Sequence, residues 1–343
     1  MKHRLSFVGI LACAACLAAA LAGCASSSGY TPETLDPSVS SPTIGEDGTL
    51  RVGVGSGAPF VVSGAEGKTS GLDVDMAAAI ADELGLKLEI VSLGSGTGDV
   101  DVESALKKGD VDIVMGASAS DAGSNVWVSD PYTQTGVALF ASPGTQAPGR
   151  TSSPKIAAQS SSTSAWAVTN AFGDDALVAK SDLLSALSAV ETDDAQYVAA
   201  DAVIGTYAAL GQNVDVQPVA VLGSVGGYSV AVASSNADLQ KAVSDALEKI
   251  AGNGVAKAVC TKWLGSALDL SQLPSIEVSS SASSKAKTSG TDAQSGEDGE
   301  STSEESAEGA APKTDAGANA VLPDGSSSTA GTSSSTAQTD TAA

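Results

Sequence analysis

Residues 105–132 read ALKKGDVDIVMGASASDAGSNVWVSDPY. A short helix over 102–108 is expected to end at Gly109, a residue that takes the left-handed conformation helices need at their C-termini. The apolar run Val111, Ile113, Val114 and Met115 then reads as a buried strand, 111–115. A loop of Gly, Ala and Ser follows. Helix, strand and small-residue loop in that order describe one unit of an α/β sheet, whose ligands sit where loops leave the carboxyl ends of strands. The loop holds no Arg, Lys or His, and the stretch after Met115 carries Asp121 and Asp130 instead. The same residues that set the architecture therefore question what it would bind.

Working outward, the same alternation recurs. Residues 50–54 form a strand. A helix is expected over 73–84, with Met76, Ile80 and Leu84 at helical spacing and Gly85 as its stop. Strands follow at 87–91 and 137–140, then a Ser/Pro/Gly/Thr connector at 142–154. The pattern then restarts. A strand at 155–158 leads through the polar turn 159–163 into a helix that ends near Phe172. Residues 183–190 read as helix, 196–200 as strand, 202–210 as helix and 228–233 as strand. Residues 237–264 read as helix, broken near Gly252-Asn253-Gly254. Strands alternating with helices predict mostly parallel sheets. Two such units joined by a polar connector predict two lobes with a cleft between them.

The flanks set the compartment. Lys2 and Arg4 precede an apolar run over 5–21, and Leu21-Ala22-Gly23-Cys24 follows. A basic start, a core too short to span comfortably and small residues at its end are expected to act as a secretory signal, residues 1–23. LAGC resembles the bacterial lipobox, which implies cleavage before Cys24 and lipidation of its thiol. The acyl chains would anchor the protein, each buried CH₂ contributing ~0.8 kcal/mol. Residues 24–49, rich in Ser, Thr, Pro and Gly, read as a disordered tether. Residues 271–343 read as a disordered acidic tail of Ser, Thr, Ala and Gly, with little to bury.

Composition removes whole classes of chemistry. With Cys13 and Cys16 inside the signal and Cys24 lipidated, only Cys260 remains as a thiol, and the single histidine is His3. Ser-His-Asp, Cys-His and His-metal sites are excluded from the mature chain, so no metal and no cofactor are expected. A net charge of −23 argues against nucleic acid, whose phosphates need Lys and Arg. The glycine runs at 53–57 and 94–98 lack the Gly-Lys-Ser/Thr of a phosphate loop and read as flexible loops.

Five pieces in order resemble one family. Leu50-Arg51-Val52-Gly53-Val54 with Ala58-Pro59-Phe60 looks like a first strand and its Pro-Phe loop. Gly71-Leu72-Asp73-Val74-Asp75-Met76 resembles "GFDVDL". Ala105 to Asp112 resembles "ALxxGxVD", and Ser129-Asp130-Pro131-Tyr132 matches "SDPY". Asp245 to Ile250, Gly254 and Lys262-Trp263-Leu264-Gly265 look like the closing "KWfG" segment. The chain thus resembles the extracellular solute-binding proteins of ABC importers, family 3. That resemblance implies a two-lobed, periplasmic-binding-protein-like (type II) α/β fold with a central cleft and a two-strand hinge. Lobe 1 would comprise 50–142 and 227–270, and residues 143–226 would form the hinge and lobe 2. It also implies a monomer that captures a small polar solute, closes on it and is read by ABC permease subunits at the outer face of the membrane.

The resemblance also supplies candidate contacts. Phe60 stands where family members place an aromatic against the ligand, or else it is a core residue. Ser161, Ser162 and Thr163 occupy a "QxGTT"-like turn that offers N–H groups and hydroxyls to an acceptor, or else simply caps a helix. Ser161 stands where the family has Gly, which narrows the backbone geometries open to the turn. Asp201 would pair with a ligand ammonium, or cap the next helix, and an alternative alignment puts Thr206 in its place. Asp73 and Asp75 read as helix-start residues. In the loop, Gly116, Ala117 and Ser118 could bind an uncharged acceptor. The family's carboxylate-clamping Arg is replaced by Ala or Gly, so strong binding of glutamate or aspartate would need some other cation, such as Lys155 or Arg150. An amino acid or related amine is the implied solute. A non-transport sensor or degenerate surface lipoprotein is the alternative, and a dehydratase-like enzyme a remote one.

Overall fold

Leu50, Val52 and Val54 alternate along strand β1 (Thr49–Val54) and are all fully buried. They open a mixed sheet of ten strands. The structure is a computed structural model that describes residues 35–64, 67–94 and 100–278. Cys24, the expected signal, the first part of the tether, most of the second glycine run and residues 279–343 lie outside the described residues.

After β1 the chain forms a small hairpin, β2 (Val62–Ser63) with β3 (Thr69–Ser70), and then helix α1 (Leu72–Glu83). Gly71 precedes the helix for a steric reason: a Cβ there would stand 1.9 Å from the Phe60 carbonyl oxygen. That close approach lets Pro59 and Phe60 carbonyls accept the N–H groups of Leu72 and Asp73. Strand β4 (Lys87–Ser92), helix α2 (Val102–Lys108), β5 (Ile113–Ala117), β6 (Val126–Val128) and the long β7 (Thr133–Ala141) follow. As expected, α2 stops at a left-handed Gly109, and it starts on the Asp101 side chain.

The second series runs β8 (Ile156–Gln159), α3 (Thr163–Phe172), β9 (Leu177–Lys180), α4 (Leu183–Glu191), β10 (Tyr197–Asp201) and α5 (Ala202–Gln212). Strand β11 (Gln217–Ala233) then returns to the first series, followed by α6 (Ala237–Gly252), α7 (Val255–Leu264) and β12 (Ser275–Ile276). The expected break at Gly252-Asn253-Gly254 is the gap between α6 and α7.

Spatial strand order is β4-β1-β5-β11-β7-β10-β8-β9, with β6 and β12 also paired to β11. Pairing is parallel within each series and antiparallel where the series join, at β5–β11, β11–β7 and β7–β10. The expectation of mostly parallel sheets therefore needs correction at the two crossing strands. Strand β11 is longer than its predicted 228–233 because residues 217–227 also pair with β7, through bulges near Pro218 and at 222–226. Strands buried on both faces explain the apolar runs: Ala138 and Phe140 join one cluster, Leu139 and Ala141 another across the sheet.

Order extends beyond the expected limits at both ends. Ile44, expected in the tether, is 1% exposed and inserts into the cluster beneath β1 and α1. The Asn236 side chain donates to the Thr43 carbonyl at 2.8 Å and fixes that segment. Beyond Leu270, Ile276 is buried and β12 pairs with β11, so the folded chain runs at least six residues into the expected tail. Apolar Ile44 and Ile276 account for both shifts, since each carries a segment of polar composition into the core.

Candidate functional site

Asp201 ends β10 and caps α5. Its Oδ1 accepts the N–H groups of Val203 at 2.9 Å and Ile204 at 3.0 Å. Its Oδ2 accepts the Thr135 hydroxyl at 2.6 Å and the Tyr228 hydroxyl at 3.2 Å. Burial pushes the carboxyl above its ordinary pKa, and those four donors pull it back only in part. The side chain is therefore a helix cap and a buried acid at once.

Tyr228 extends the cluster. It lies on β11 opposite Thr133 of β7, and its ring meets Phe60 with centroids 4.5 Å apart and planes at 59°. Phe60 is half-buried and packs against the apolar clusters of both series. The structure thus gathers Phe60, Tyr228, Thr135 and Asp201 where the two crossing strands meet. Sequence reading found Phe60 and Asp201 but not Thr135 or Tyr228. The one local signal was Tyr228 itself, an aromatic following Gly226-Gly227 in a chain that is 3% aromatic.

The turn after β8 borders the same region. Ser162 caps α3, accepting the Ala165 N–H at 3.1 Å and donating to the Gln159 carbonyl at 2.7 Å. Ser161 takes φ +58, the left-handed conformation that glycine supplies without strain. A cavity of about 10 Å³, room for about one water, touches Gln159, Ser162, Ser164, Ala200, Asp201 and Ile204. Ser162 and Asp201 therefore share one wall, and Thr163 follows as the first residue of α3. Thr206, the alternative to Asp201, donates its hydroxyl to the Ala202 carbonyl at 2.7 Å, one turn back along α5.

The opening loop is turned on itself. The Gly116 N–H donates to the Tyr132 hydroxyl oxygen at 3.1 Å, and that hydroxyl donates to Asp73 Oδ1 at 2.6 Å. Gly116 has φ +78, and a Cβ there would lie 3.2 Å from Asp73 Oδ2. Burial raises the Asp73 carboxyl to about 7, with the Tyr132 bond pulling the other way. The Ala117 side chain is buried in an apolar cluster, so only its backbone can face a solute. The N–H and hydroxyl of Ser118 both donate to Asp121 Oδ2, at 2.7 and 2.9 Å. Of the two cations suggested in place of the missing Arg, Arg150 pairs with exposed Glu277, and the Lys155 ammonium bonds the Asp175 carbonyl.

Asp75 plays another part. It accepts the Lys262 ammonium and the Trp263 indole N–H, each at 2.6 Å, and so ties α1 to α7. Among the described residues no group of His, Cys, Asp and Glu is placed to hold a metal, and no helix is long and apolar enough to cross a membrane.

A family model for bacterial extracellular solute-binding proteins, family 3, matches residues 50–266. Several solved structures share the fold. An ancestral cationic amino-acid solute-binding protein is 26% identical, with 63% of this chain and 96% of that one covered and a TM-score of 0.52. The L-cystine solute receptor of Neisseria gonorrhoeae, in its unliganded open conformation, is 22% identical over 64% and 94%, with a TM-score of 0.53. A polar amino-acid ABC uptake transporter substrate-binding protein from Streptococcus thermophilus is 20% identical over 65% and 89%, with a TM-score of 0.55. Among curated proteins nothing matches the chain.

Proposed function

The chain belongs to the bacterial extracellular solute-binding proteins, family 3, and from that premise we propose that it captures a small amine-bearing solute and hands it to the permease subunits of an ABC importer. Residues 50–142 with 227–265 form one lobe and 143–226 the other, and Leu270 packs with the second. The solute sits between them and stabilises their closure, because only the closed state touches it from both sides. Cys24 carries the lipid that holds the protein at the outer face of the membrane. The work is binding, with no covalent step.

The observation that supports an amine is Asp201. A buried carboxyl with an aromatic pair beside it favours a ligand that brings positive charge and N–H donors. Phe60, Thr135 and Tyr228 complete that wall, and the turn Ser161-Ser162-Thr163 borders it. The loop Gly116-Ala117-Ser118 supports the negative half of the reading. With no Arg, and with Gly116 and Ser118 bonded inward, it is poorly equipped to clamp a free carboxylate.

The test is a thermal-shift screen against amines, amino acids, small peptides and sugars, followed by calorimetry on the hits. An amine should stabilise the chain. Asp201→Asn keeps the helix cap, since Asn caps as well as Asp, and should weaken the amine by about tenfold or more. Equal affinity in that variant removes Asp201 from the site. Lack of stabilisation by every solute sinks the reading as a whole.

The inward-turned loop also favours a second reading, a surface sensor or degenerate lipoprotein that does not transport. A deletion strain that takes up the identified solute at the undiminished rate would decide for it.

A further inference from the structure

Strands β7 and β11 are not the only covalent links between the two series. The chain leaves α7, whose Leu264 belongs to the first apolar cluster, and crosses to the second series through residues 266–277. The family match ends at residue 266, so nearly all of this segment lies beyond it. Leu268 packs against the clusters of both series. The Leu270 side chain is 1% exposed in the second cluster, and its N–H donates to Gln134 Oε1 at 2.9 Å. Gln134 is on β7, paired with Gly227 of β11. Further on, the Pro274 carbonyl accepts the Val221 N–H at 3.0 Å, and Ser275 and Ile276 pair with Val221 and Leu222. The Ser275 hydroxyl donates to the Gly223 carbonyl at 2.7 Å, where β11 bulges.

We propose that residues 266–277 are a strap, a third crossing fastened to both crossing strands, which limits how far the two lobes separate. The proposal rests on the two-lobe closure described above. Rotation about β7 and β11 moves α7 relative to the second series, and the strap joins them. Opening therefore has to pull Leu268 from one of its clusters and strain the Leu270–Gln134 bond. A two-strand hinge without this segment lacks those contacts and opens further at the same thermal energy.

The test uses the full chain with a donor–acceptor dye pair on azide-bearing residues at two exposed positions, Lys107 on α2 and Glu191 on α4. No solute is added, so failure of the solute-binding reading and failure of the strap are separate results. Gln134→Ala removes the acceptor for Leu270, and Gln134→Ala with Leu268→Ala loosens the packing as well. Released variants should show lower mean transfer efficiency and a broader distribution, largest in the double variant. Exchange of the Val221 amide should also speed up about tenfold. Should the double variant fail to fold, Gln134→Ala alone carries the comparison, since it removes one hydrogen bond and leaves the apolar contacts. Unchanged transfer efficiency overturns the proposal, whether Val221 exchange rises or stays the same.

Discussion

Asp73 keeps its proton to about pH 7 because burial raises its carboxyl and the hydrogen bond from Tyr132 offsets that only in part. The consequence for stability has a definite sign. The unfolded carboxyl loses its proton near pH 4 and the folded one near pH 7, so between them the folded state binds more protons. Stability attributable to Asp73 therefore falls as pH rises from about 4 to about 7 and is level above that. Asp201, also raised by burial, adds the same sign. Asp73→Asn mimics the neutral acid and still accepts the Tyr132 hydroxyl. Urea titrations at pH 5, 6, 7 and 8 should show the variant gaining on the unmodified chain as pH rises, by about 2–4 kcal/mol at the top. A difference that stays constant across that range would remove Asp73 as the titrating group. Reading the sequence placed Asp73 at a helix start, which is correct, but its weakened acidity comes from burial, opposed in part by Tyr132, 59 residues away. The same limit hid Thr135 and Tyr228, which reach Asp201 across 66 and 27 residues. A sequence shows which side chains can bond; the fold decides which of them meet.

Elements were more legible than sites because their signals are local. Gly109 stops α2, Gly252-Asn253-Gly254 divides α6 from α7, and Met76 and Ile80 bury one face of α1 as their spacing requires. Strand β11 was shortened in prediction because Pro218 and the glycines at 223, 226 and 227 argue against a strand, whereas pairing with β7 across bulges overrides them. The turn before α3 gives a direct test of local chemistry. Ser161 stands where the family has glycine, and it holds φ +58, a conformation costing an L-residue roughly 1 kcal/mol. Its side chain is exposed, so little packing is lost on removal. Ser161→Gly should stabilise the chain by about 0.5–1 kcal/mol, less whatever glycine gains in unfolded freedom, and so raise the melting temperature. A lower melting temperature would mean that the Ser161 side chain contributes more than its backbone costs.

At the scale of the whole molecule, charge constrains the solute in a way that no single residue does. The chain holds 40 acidic against 17 basic side chains, a net charge of −23. Salt mutes any of these charges that stands farther from the solute than a Debye length, about 8 Å at physiological ionic strength. At low ionic strength they act together and raise the local concentration of cations around the chain. If the solute is a net cation, its association rate should fall several-fold between 10 and 150 mM salt, read by stopped-flow fluorescence. Its dissociation rate should change little if it rests on short contacts at the proposed wall of Asp201, Phe60 and Tyr228, which salt would screen weakly. A zwitterionic solute should show almost no dependence on either rate, since its opposed charges cancel at long range. A strong salt dependence in dissociation alone would locate recognition at exposed charges and not at the buried Asp201 wall. The pair of rates thus separates a net cation from a zwitterionic amino acid even where both stabilise the fold in a thermal screen.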